Sequence, residues 1–204
     1  MAYILRIDAS SRFADSHSRR LADKVEAQLM QETPSYEVKR RDLASQAIPH
    51  IANETITGFY TPSEAMTPEL QASTALSDEL ITELKGADTL ILSTPMYNFG
   101  VPSALKAWID QVVRINATFS FDGSNFAGLV PVKRAFILTA FGAAGYGEGG
   151  PFAAMNFLDP YLVSLLQFLG IGNVKVVRLE STTADEATVA SAWAMADKAI
   201  AQLF

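Results

Sequence analysis

Two kinds of stretch alternate along this chain. Short stretches such as TLILS at 89–93 and AFILTAF at 135–141 are almost continuously apolar, as expected for strands buried on both faces. Longer stretches carry apolar residues three or four positions apart, as Leu21, Val25 and Leu29 do, which is the spacing of one helix face. The pattern predicts five strands, at 2–10, 36–43, 88–94, 132–141 and 174–182.

Each predicted strand is followed by a predicted helix. The helices are expected at 18–32, 68–87, from about 102, 158–171 and 184–204. The stretch 44–67 is predicted to be irregular, and ATFSFDG at 117–123 to be a short extended piece. Strict βα alternation favours an α/β fold with a parallel sheet and helices on both faces. Without a linker or an internal repeat, residues 1–204 are predicted to form one domain.

Three loops would meet where the strands end. Open α/β sheets bind ligands outside the carboxyl ends of their strands. The loops at 9–18, 95–100 and 140–150 follow the first, third and fourth predicted strands. A ligand site is therefore expected at this edge.

The first of these loops, DASSRFADSHS, is rich in serine and runs into a predicted helix. A helix amino end carries partial positive charge and free N–H groups, which suits a phosphate. A bound anion would also offset the unfavourable position of Arg19 and Arg20 in the first turn. In the alternative interpretation, Ser16 or Ser18 only caps the helix, and the arginines pair with Asp23 or Glu26.

The second loop, PMYNFG, places three large side chains among four residues. Met96, Tyr97 and Phe99 offer apolar and aromatic surface, and Asn98 offers a polar edge, a combination that suits a planar heterocycle. In the alternative interpretation, the aromatic side chains turn back into the core.

The third loop, AFGAAGYGEGGP, contains a G-x-G-x-x-G pattern. A dinucleotide-binding fingerprint belongs in the first βα unit, whereas this loop follows the fourth strand. We therefore interpret it as a mobile loop whose glycines allow close backbone approach to a ligand.

Composition narrows the function further. A net charge of -6 argues against nucleic-acid binding, and the absence of cysteine fits a cytoplasmic protein. No signal-peptide or membrane-spanning pattern is recognisable. The two histidines, His17 and His50, are too few for an imidazole metal site and make a Ser–His nucleophile improbable. We expect Asp8 to be structural, and Asp110 to pair with Lys106 or Arg114. A cofactor is therefore expected to carry the chemistry.

The segment TPMYNFGVPSALKAWIDQVVR at 94–114 resembles the signature of FMN-dependent NADH azoreductases, which are related to NAD(P)H:quinone oxidoreductases. Further segments, including RDLASQAIP, GLVPVKRAF and LDPYLVSLLQFLGI, extend the resemblance over nearly the whole chain. The resemblance implies a flavodoxin-like, doubly wound five-stranded parallel sheet that binds FMN as a single domain.

The resemblance also implies a set of cofactor-binding residues. Those of the first loop would hold the phosphate and ribityl chain, those of the second the isoalloxazine ring, and those of the third its pyrimidine side. The residues are Ser10, Ser16, His17 and Ser18; Met96, Tyr97, Asn98 and Phe99; and Ala140, Phe141, Gly142 and Ala143. Family members often carry Ser-Arg-Gly-Gly in the third loop, where this chain has Ala-Phe-Gly-Ala followed by a glycine-rich insertion.

The activity implied is hydride transfer from NADH, or NADPH in its place, to FMN, followed by two-electron reduction of a quinone or aromatic azo compound. No side chain need act as a covalent catalyst. A homodimer is implied, with the partner covering the substrate pocket, and Phe59 and Tyr60 in the stretch 44–67 are candidates for this cover. Phe119 and Phe121 would share one face of a strand and line the pocket.

Two other functions remain open at this stage. A flavodoxin-type electron carrier would pass single electrons to protein partners. A phosphoester hydrolase would place Ser10 or Ser16 in a phosphate pocket, although no suitable base or metal site accompanies them.

Overall fold

The structure is a computed structural model that describes residues 3–204, so Ala2, part of the first predicted strand, lies outside the described residues. The strands are β1 (Tyr3–Asp8), β2 (Glu37–Asp42), β3 (Thr89–Pro95), β4 (Phe119–Phe121), β5 (Phe126–Gly128), β6 (Arg134–Ala140) and β7 (Val174–Leu179). Five of them form one parallel sheet in the order β2-β1-β3-β6-β7. The helices are α1 (His17–Glu32), α2 (Asn53–Tyr60), α3 (Pro68–Gly86), α4 (Ser103–Val112), α5 (Asp159–Phe168) and α6 (Glu186–Ala201).

The five predicted strands and five predicted helices are confirmed, and the doubly wound sheet is flavodoxin-like. Successive strand residues face opposite sides of the sheet. Ile4 and Ile91 pack with α1 and α6, whereas Leu5 and Leu92 pack with α3, α4 and α5. Helices therefore cover both faces.

The prediction that the stretch 44–67 is irregular is wrong, because this stretch contains α2. The helix includes Thr55, Ile56, Thr57 and Gly58, residues with modest or poor helix propensity, so its local sequence gives a weak signal. Packing against α3 compensates for this: a Cβ on Gly58 would lie 2.5 Å from Thr74 Cγ2. Tertiary contact thus forms a helix that propensity alone does not indicate.

The short extended piece at 117–123 becomes half of a hairpin, because β4 pairs with β5 in an antiparallel arrangement. As expected, Phe119 and Phe121 share a side, since both rings approach that of Phe126, with centroids 6.0 and 4.6 Å away. The Phe119 ring also lies 4.9 Å from Phe168 on α5, which fixes the hairpin against that helix.

Two expectations about aspartates also hold. Asp8 is buried, accepts the Ser93 hydroxyl at 2.5 Å and pairs with Arg6 at 3.0 Å, so it is a structural group. Asp110 pairs with Lys106 one turn earlier on α4.

Candidate functional site

The first, second and third loops meet at the carboxyl edge of the sheet and border one cleft of about 270 Å³. Backbone hydrogen bonds hold their starting points together: Ala9 N–H donates to Ser93 O and Met96 N–H to Ala140 O, both at 2.9 Å. The cleft is lined by Ser10, Arg12, Asp15, Ser16, His17, Ser18, Pro95, Met96, Tyr97, Ala140, Gly142, Thr182 and Thr183.

The first loop brings three buried hydroxyl groups to the amino end of α1, those of Ser10, Ser16 and Ser18. Ser16 is the N-cap residue, and its Oγ accepts the Arg19 N–H at 3.4 Å and lies 3.3 Å from Ser18 Oγ. The capping interpretation is therefore correct for Ser16, and it is compatible with a place in the cleft. Hydroxyls beside free helix N–H groups form a cradle suited to an anion.

The alternative interpretation, in which Arg19 and Arg20 pair with Asp23 or Glu26, is wrong. Arg6 on β1 takes both of these acids, at 2.7 and 3.1 Å. Arg19 instead pairs with Asp42, and its Nη2 donates to the Ser10 carbonyl at 2.8 Å. It thereby ties the serine loop to the end of β2.

His17, the first residue of α1, accepts a hydrogen bond at Nδ1 from Trp193 Nε1 at 3.2 Å. Burial and the nearby positive charge of Arg20 lower the pKa of His17 from its ordinary value. Its neutral form is thus favoured at the edge of the cleft.

The second loop is a tight two-residue turn in which Tyr97 and Gly100 exchange N–H···O hydrogen bonds of 3.1 Å. Asn98 and Phe99, at its centre, have φ values of 48° and 71°. A type I′ turn requires positive φ values at these two positions, and residues other than glycine rarely adopt them. Such strain is often found at functional sites.

The aromatic side chains of this turn do not fold back into the core, since Tyr97 is 38% and Phe99 41% exposed. Met96 is partly buried against the core. Tyr97 also borders an adjoining groove, together with Asn98, Lys106, Phe157 and Tyr161. An aromatic surface thus continues from the cleft into this groove.

The third loop contributes unevenly. Ala140 and Gly142 line the cleft, and Ala143 is exposed beside it. The Phe141 side chain is fully buried and stacks on Tyr146 with ring centroids 5.3 Å apart. Its N–H donates to Leu179 O and its carbonyl accepts the N–H of Thr182, so Phe141 supports the loop and does not line the cleft.

The glycine-rich part of the third loop, which the sequence predicts to be mobile, makes hydrogen bonds to two other segments of the chain. The Glu180 carboxylate accepts the N–H groups of Gly145 and Tyr146 at 2.8 and 3.0 Å. Asn156 Nδ2 donates to the Tyr146 carbonyl at 3.2 Å. These contacts hold the loop from both sides.

Sequence reasoning missed five residues that line the cleft: Arg12, Asp15, Pro95, Thr182 and Thr183. Arg12 and Asp15 form an exposed ion pair of 2.6 Å within the first loop. Thr182 and Thr183 follow β7. Their place at the cleft could have been predicted, because every parallel strand of the sheet ends at the same edge.

Within residues 3–204, no helix combines the length and apolar character needed to cross a membrane. In the same part of the chain, no three potential His or acidic metal ligands are grouped closely enough to hold an ion.

Relatives and solved structures agree with this architecture. Residues 2–203 match the model of a family described as having a flavodoxin-like fold. An FMN-dependent NADH:quinone oxidoreductase of Xanthobacter autotrophicus is 48% identical over 86% of this chain and 85% of that protein. One of the same name from Beijerinckia indica is 41% identical over 100% and 99%.

Among solved structures, an azoreductase from Bacillus anthracis superimposes with a TM-score of 0.88 at 23% identity, covering 98% of both chains. An FMN-dependent NADH-azoreductase from the same species, in complex with FMN, gives 0.84 at 22% identity and covers 100% of this chain and 99% of that one. At this identity the superpositions establish the fold. The matches in sequence show more: the chain belongs to the family of FMN-dependent NADH:quinone oxidoreductases, whose fold is flavodoxin-like.

Proposed function

We propose that this protein is an FMN-dependent oxidoreductase that takes electrons from NADH, or NADPH in its place, and reduces quinones and aromatic azo compounds by two electrons. One observation carries the proposal: a single cleft joins an anion cradle at the start of α1 to the aromatic turn after β3. The names of the relatives, which include an FMN-dependent NAD(P)H:quinone oxidoreductase 1 of Pseudomonas aeruginosa at 43% identity over 88% of this chain and 87% of that one, support it.

The residues present fit FMN. The buried hydroxyls and the helix amino end match a phosphate, and the exposed aromatic turn matches a flat ring system. In this proposal, residues 1–204 form one FMN-binding domain. The phosphate end is held by Ser10, Ser16, His17 and Ser18, the ring by Met96, Tyr97, Asn98 and Phe99, and the pyrimidine edge by Ala140, Gly142 and Ala143, with Phe141 buried beneath them as their support.

Bound FMN would supply the two-electron chemistry, first with the nicotinamide donor and then with the quinone or azo acceptor. The chain's own task is positioning and electrostatics. Hydrogen-bond donors that are fixed in advance stabilise negative charge without reorganising. We assign this task to the Asn98 amide, whose backbone the turn holds at a φ of 48° beside the cleft. No covalent role for a side chain is needed.

A homodimer is part of the proposal. Apolar side chains remain exposed on α2 and on the β4–β5 hairpin: Ile56 is 41%, Tyr60 72%, Phe121 45% and Phe126 60% exposed. An apolar groove between α2 and α4 continues this surface, with Phe59 and Ile109 among its walls. Large contiguous apolar patches are typical of protein interfaces. A second copy bound on this side would agree with the prediction that a partner subunit covers the substrate pocket. Sedimentation velocity would test whether the dimer forms.

The electron-carrier alternative is not favoured, because the curated relatives are oxidoreductases that act on NADH and quinones by name. A carrier would react slowly with NADH, so stopped-flow reduction separates the two functions. The cysteine-free composition fits a cytoplasmic location, which we propose and which cell fractionation would test.

The purified protein tests the main proposal directly. We expect a yellow preparation with flavin absorption, bleached by NADH under anaerobic conditions and recoloured by a quinone. Protein stripped of flavin should regain both steps when FMN is added. A colourless preparation that FMN does not restore contradicts the proposal.

A further inference from the structure

The hydrogen bond between His17 and Trp193 determines where the imidazole carries its proton. An indole N–H only donates, so Nδ1, 3.2 Å from Trp193 Nε1, must be the acceptor and carries no hydrogen. A neutral imidazole has one N–H, which is then on Nε2. Turning the ring over would place a carbon opposite the indole N–H and lose the bond.

The surroundings favour this neutral form. The Arg20 guanidinium lies 4.1 Å above the Trp193 ring, and Lys24 lies 5.8 Å from the ring. Burial comes first and Arg20 second among the causes that lower the pKa of His17, whereas Asp15 acts in the opposite direction and Arg12 adds to the lowering. The charged groups that share the cleft or the neighbouring α1–α6 groove with His17 are Arg12, Asp15, Arg20, Glu186 and Asp197.

Acid would break the arrangement. Protonation of Nδ1 sets an N–H against the indole N–H, so the imidazolium cannot keep the bond. Since its pKa is lowered in the folded protein, neutral His17 contributes stability above the ordinary histidine value, and this is lost as pH falls through the folded pKa.

His17 also borders the cleft. It is the first residue of α1 and lies between Ser16 and Ser18, whose hydroxyls are buried in the anion cradle. One ring nitrogen is engaged on α6, and no hydrogen bond from residues 3–204 occupies the other.

We infer that Trp193 is a positioning residue: it fixes His17, which the proposed function already places at the phosphate end of the cofactor, as an uncharged imidazole whose Nε2–H is the group presented to the phosphate. The second half of this inference rests on the proposed FMN function. The expected contribution is that of a neutral donor to a charged acceptor, a factor of about ten in affinity.

The first half is tested on cofactor-free protein by NMR. The Trp193 indole N–H signal should move with pH together with the His17 ring signals, whereas the signal of the other tryptophan, Trp108, should not follow them. In Trp193→Phe, the pKa of His17 should rise because the bond to the neutral form is lost. An unchanged pKa in this variant, or a Trp193 signal insensitive to the titration of His17, overturns the inference.

The second half is tested by fluorescence titration with FMN and, as a control, with riboflavin, which lacks the phosphate. His17→Leu should weaken FMN binding about tenfold and leave riboflavin binding unchanged, while His17→Gln, which keeps a neutral donor, should restore most of the FMN affinity. Trp193→Phe should weaken FMN binding by a smaller factor.

The outcomes separate the two proposals. Equal losses for FMN and riboflavin, or unchanged FMN affinity in His17→Leu, overturn the role of His17 and leave the FMN function intact. If the unsubstituted protein binds neither flavin, the proposed function fails and the phosphate role fails with it, while the NMR result still decides the role of Trp193.

Discussion

Arg19 on α1 and Asp42 at the end of β2 form a bidentate ion pair, with Nη1 2.7 Å from Oδ2 and Nη2 2.8 Å from Oδ1. The same Nη2 donates to the Ser10 carbonyl at 2.8 Å, so one guanidinium joins the edge strand to the serine loop. Only the planar fork of arginine satisfies these acceptors together. The pair therefore shapes the cleft from below without lining it.

Replacing Arg19 by lysine should disrupt this junction. An ammonium group cannot reach both carboxylate oxygens and the Ser10 carbonyl in the same geometry. We expect Arg19→Lys to lower the free energy of unfolding by about 1–3 kcal/mol and to weaken FMN binding, as measured by urea unfolding and fluorescence titration. Arg40→Lys is the control, since Arg40 is the exposed partner of Glu26 and its replacement should change stability by less than about 1 kcal/mol. Equal effects of the two changes would contradict the special role of Arg19.

The same pair predicts a pH dependence. The Arg19 hydrogen bonds, followed by the N–H groups of Ala44 and Ser45, lower the pKa of Asp42. A carboxyl whose pKa is lowered by folding stabilises the protein above its ordinary value, and this contribution is lost as pH falls through the folded pKa. The difference in free energy of unfolding between the unsubstituted protein and Asp42→Asn should therefore be largest near neutral pH and should shrink towards zero in acid. Unfolding curves from pH 7 down to pH 3 measure it, and a constant difference would count against the ion pair.

Asn98 offers a test in which backbone and side-chain effects separate. Its φ of 48° suits asparagine or glycine better than alanine. Asn98→Ala and Asn98→Gly should both weaken FMN binding or slow reduction by NADH, by roughly fivefold to tenfold, because both lose the amide donor. Only Asn98→Ala should also lose stability, by about 1 kcal/mol. Unchanged FMN occupancy and reduction rate in Asn98→Gly would remove Asn98 from the site.

Sequence reasoning succeeded where the signal was local. The apolar runs of β3 and β6 identify buried parallel strands, and their carboxyl ends indicate where a ligand binds. The prediction failed where packing between residues far apart in sequence determines the local structure. The helix α2 depends on contact between Gly58 and Thr74, and β5 is an exposed strand of three residues that exists because β4 pairs with it.

The site itself shows the same division. The aromatic turn and the serine loop are visible as short motifs. The inward side chain of Phe141 and the Glu180 anchor are not, because the partners are far apart in sequence: Glu180 holds Gly145 across 35 positions. No residue of the loop itself indicates that an acidic side chain beyond the next helix will accept hydrogen bonds from its N–H groups.

The hairpin is fixed by a close backbone contact that a single methyl group should break. A Cβ on Gly128 would lie 2.1 Å from Gly170 N and 2.2 Å from Leu169 C, and backbone atoms cannot easily move aside. We expect Gly128→Ala to lower the free energy of unfolding by about 2 kcal/mol or more. Gly172→Ala is the matched control, since its added methyl group meets no atom of the described residues within 4 Å. Thermal or urea unfolding of both variants decides between contact and a general effect of losing glycine.

The last prediction concerns Glu180, which holds the third loop through two backbone N–H groups. In Glu180→Gln one of the two acceptors becomes an amide N–H₂ group that faces another donor, so at least one hydrogen bond is lost and a half-buried N–H is left without its acceptor. We expect faster hydrogen exchange at Gly145 and Tyr146, faster proteolysis within 143–152, and a changed KM for bulky acceptors, with little change in the absorption of bound flavin. Glu148→Gln, an exposed acid on the same loop, is the control and should leave exchange at these amides unchanged. If both variants exchange like the unsubstituted protein, the loop is held by Asn156 and the stacking of Tyr146 on Phe141 instead, and Glu180 is not its anchor.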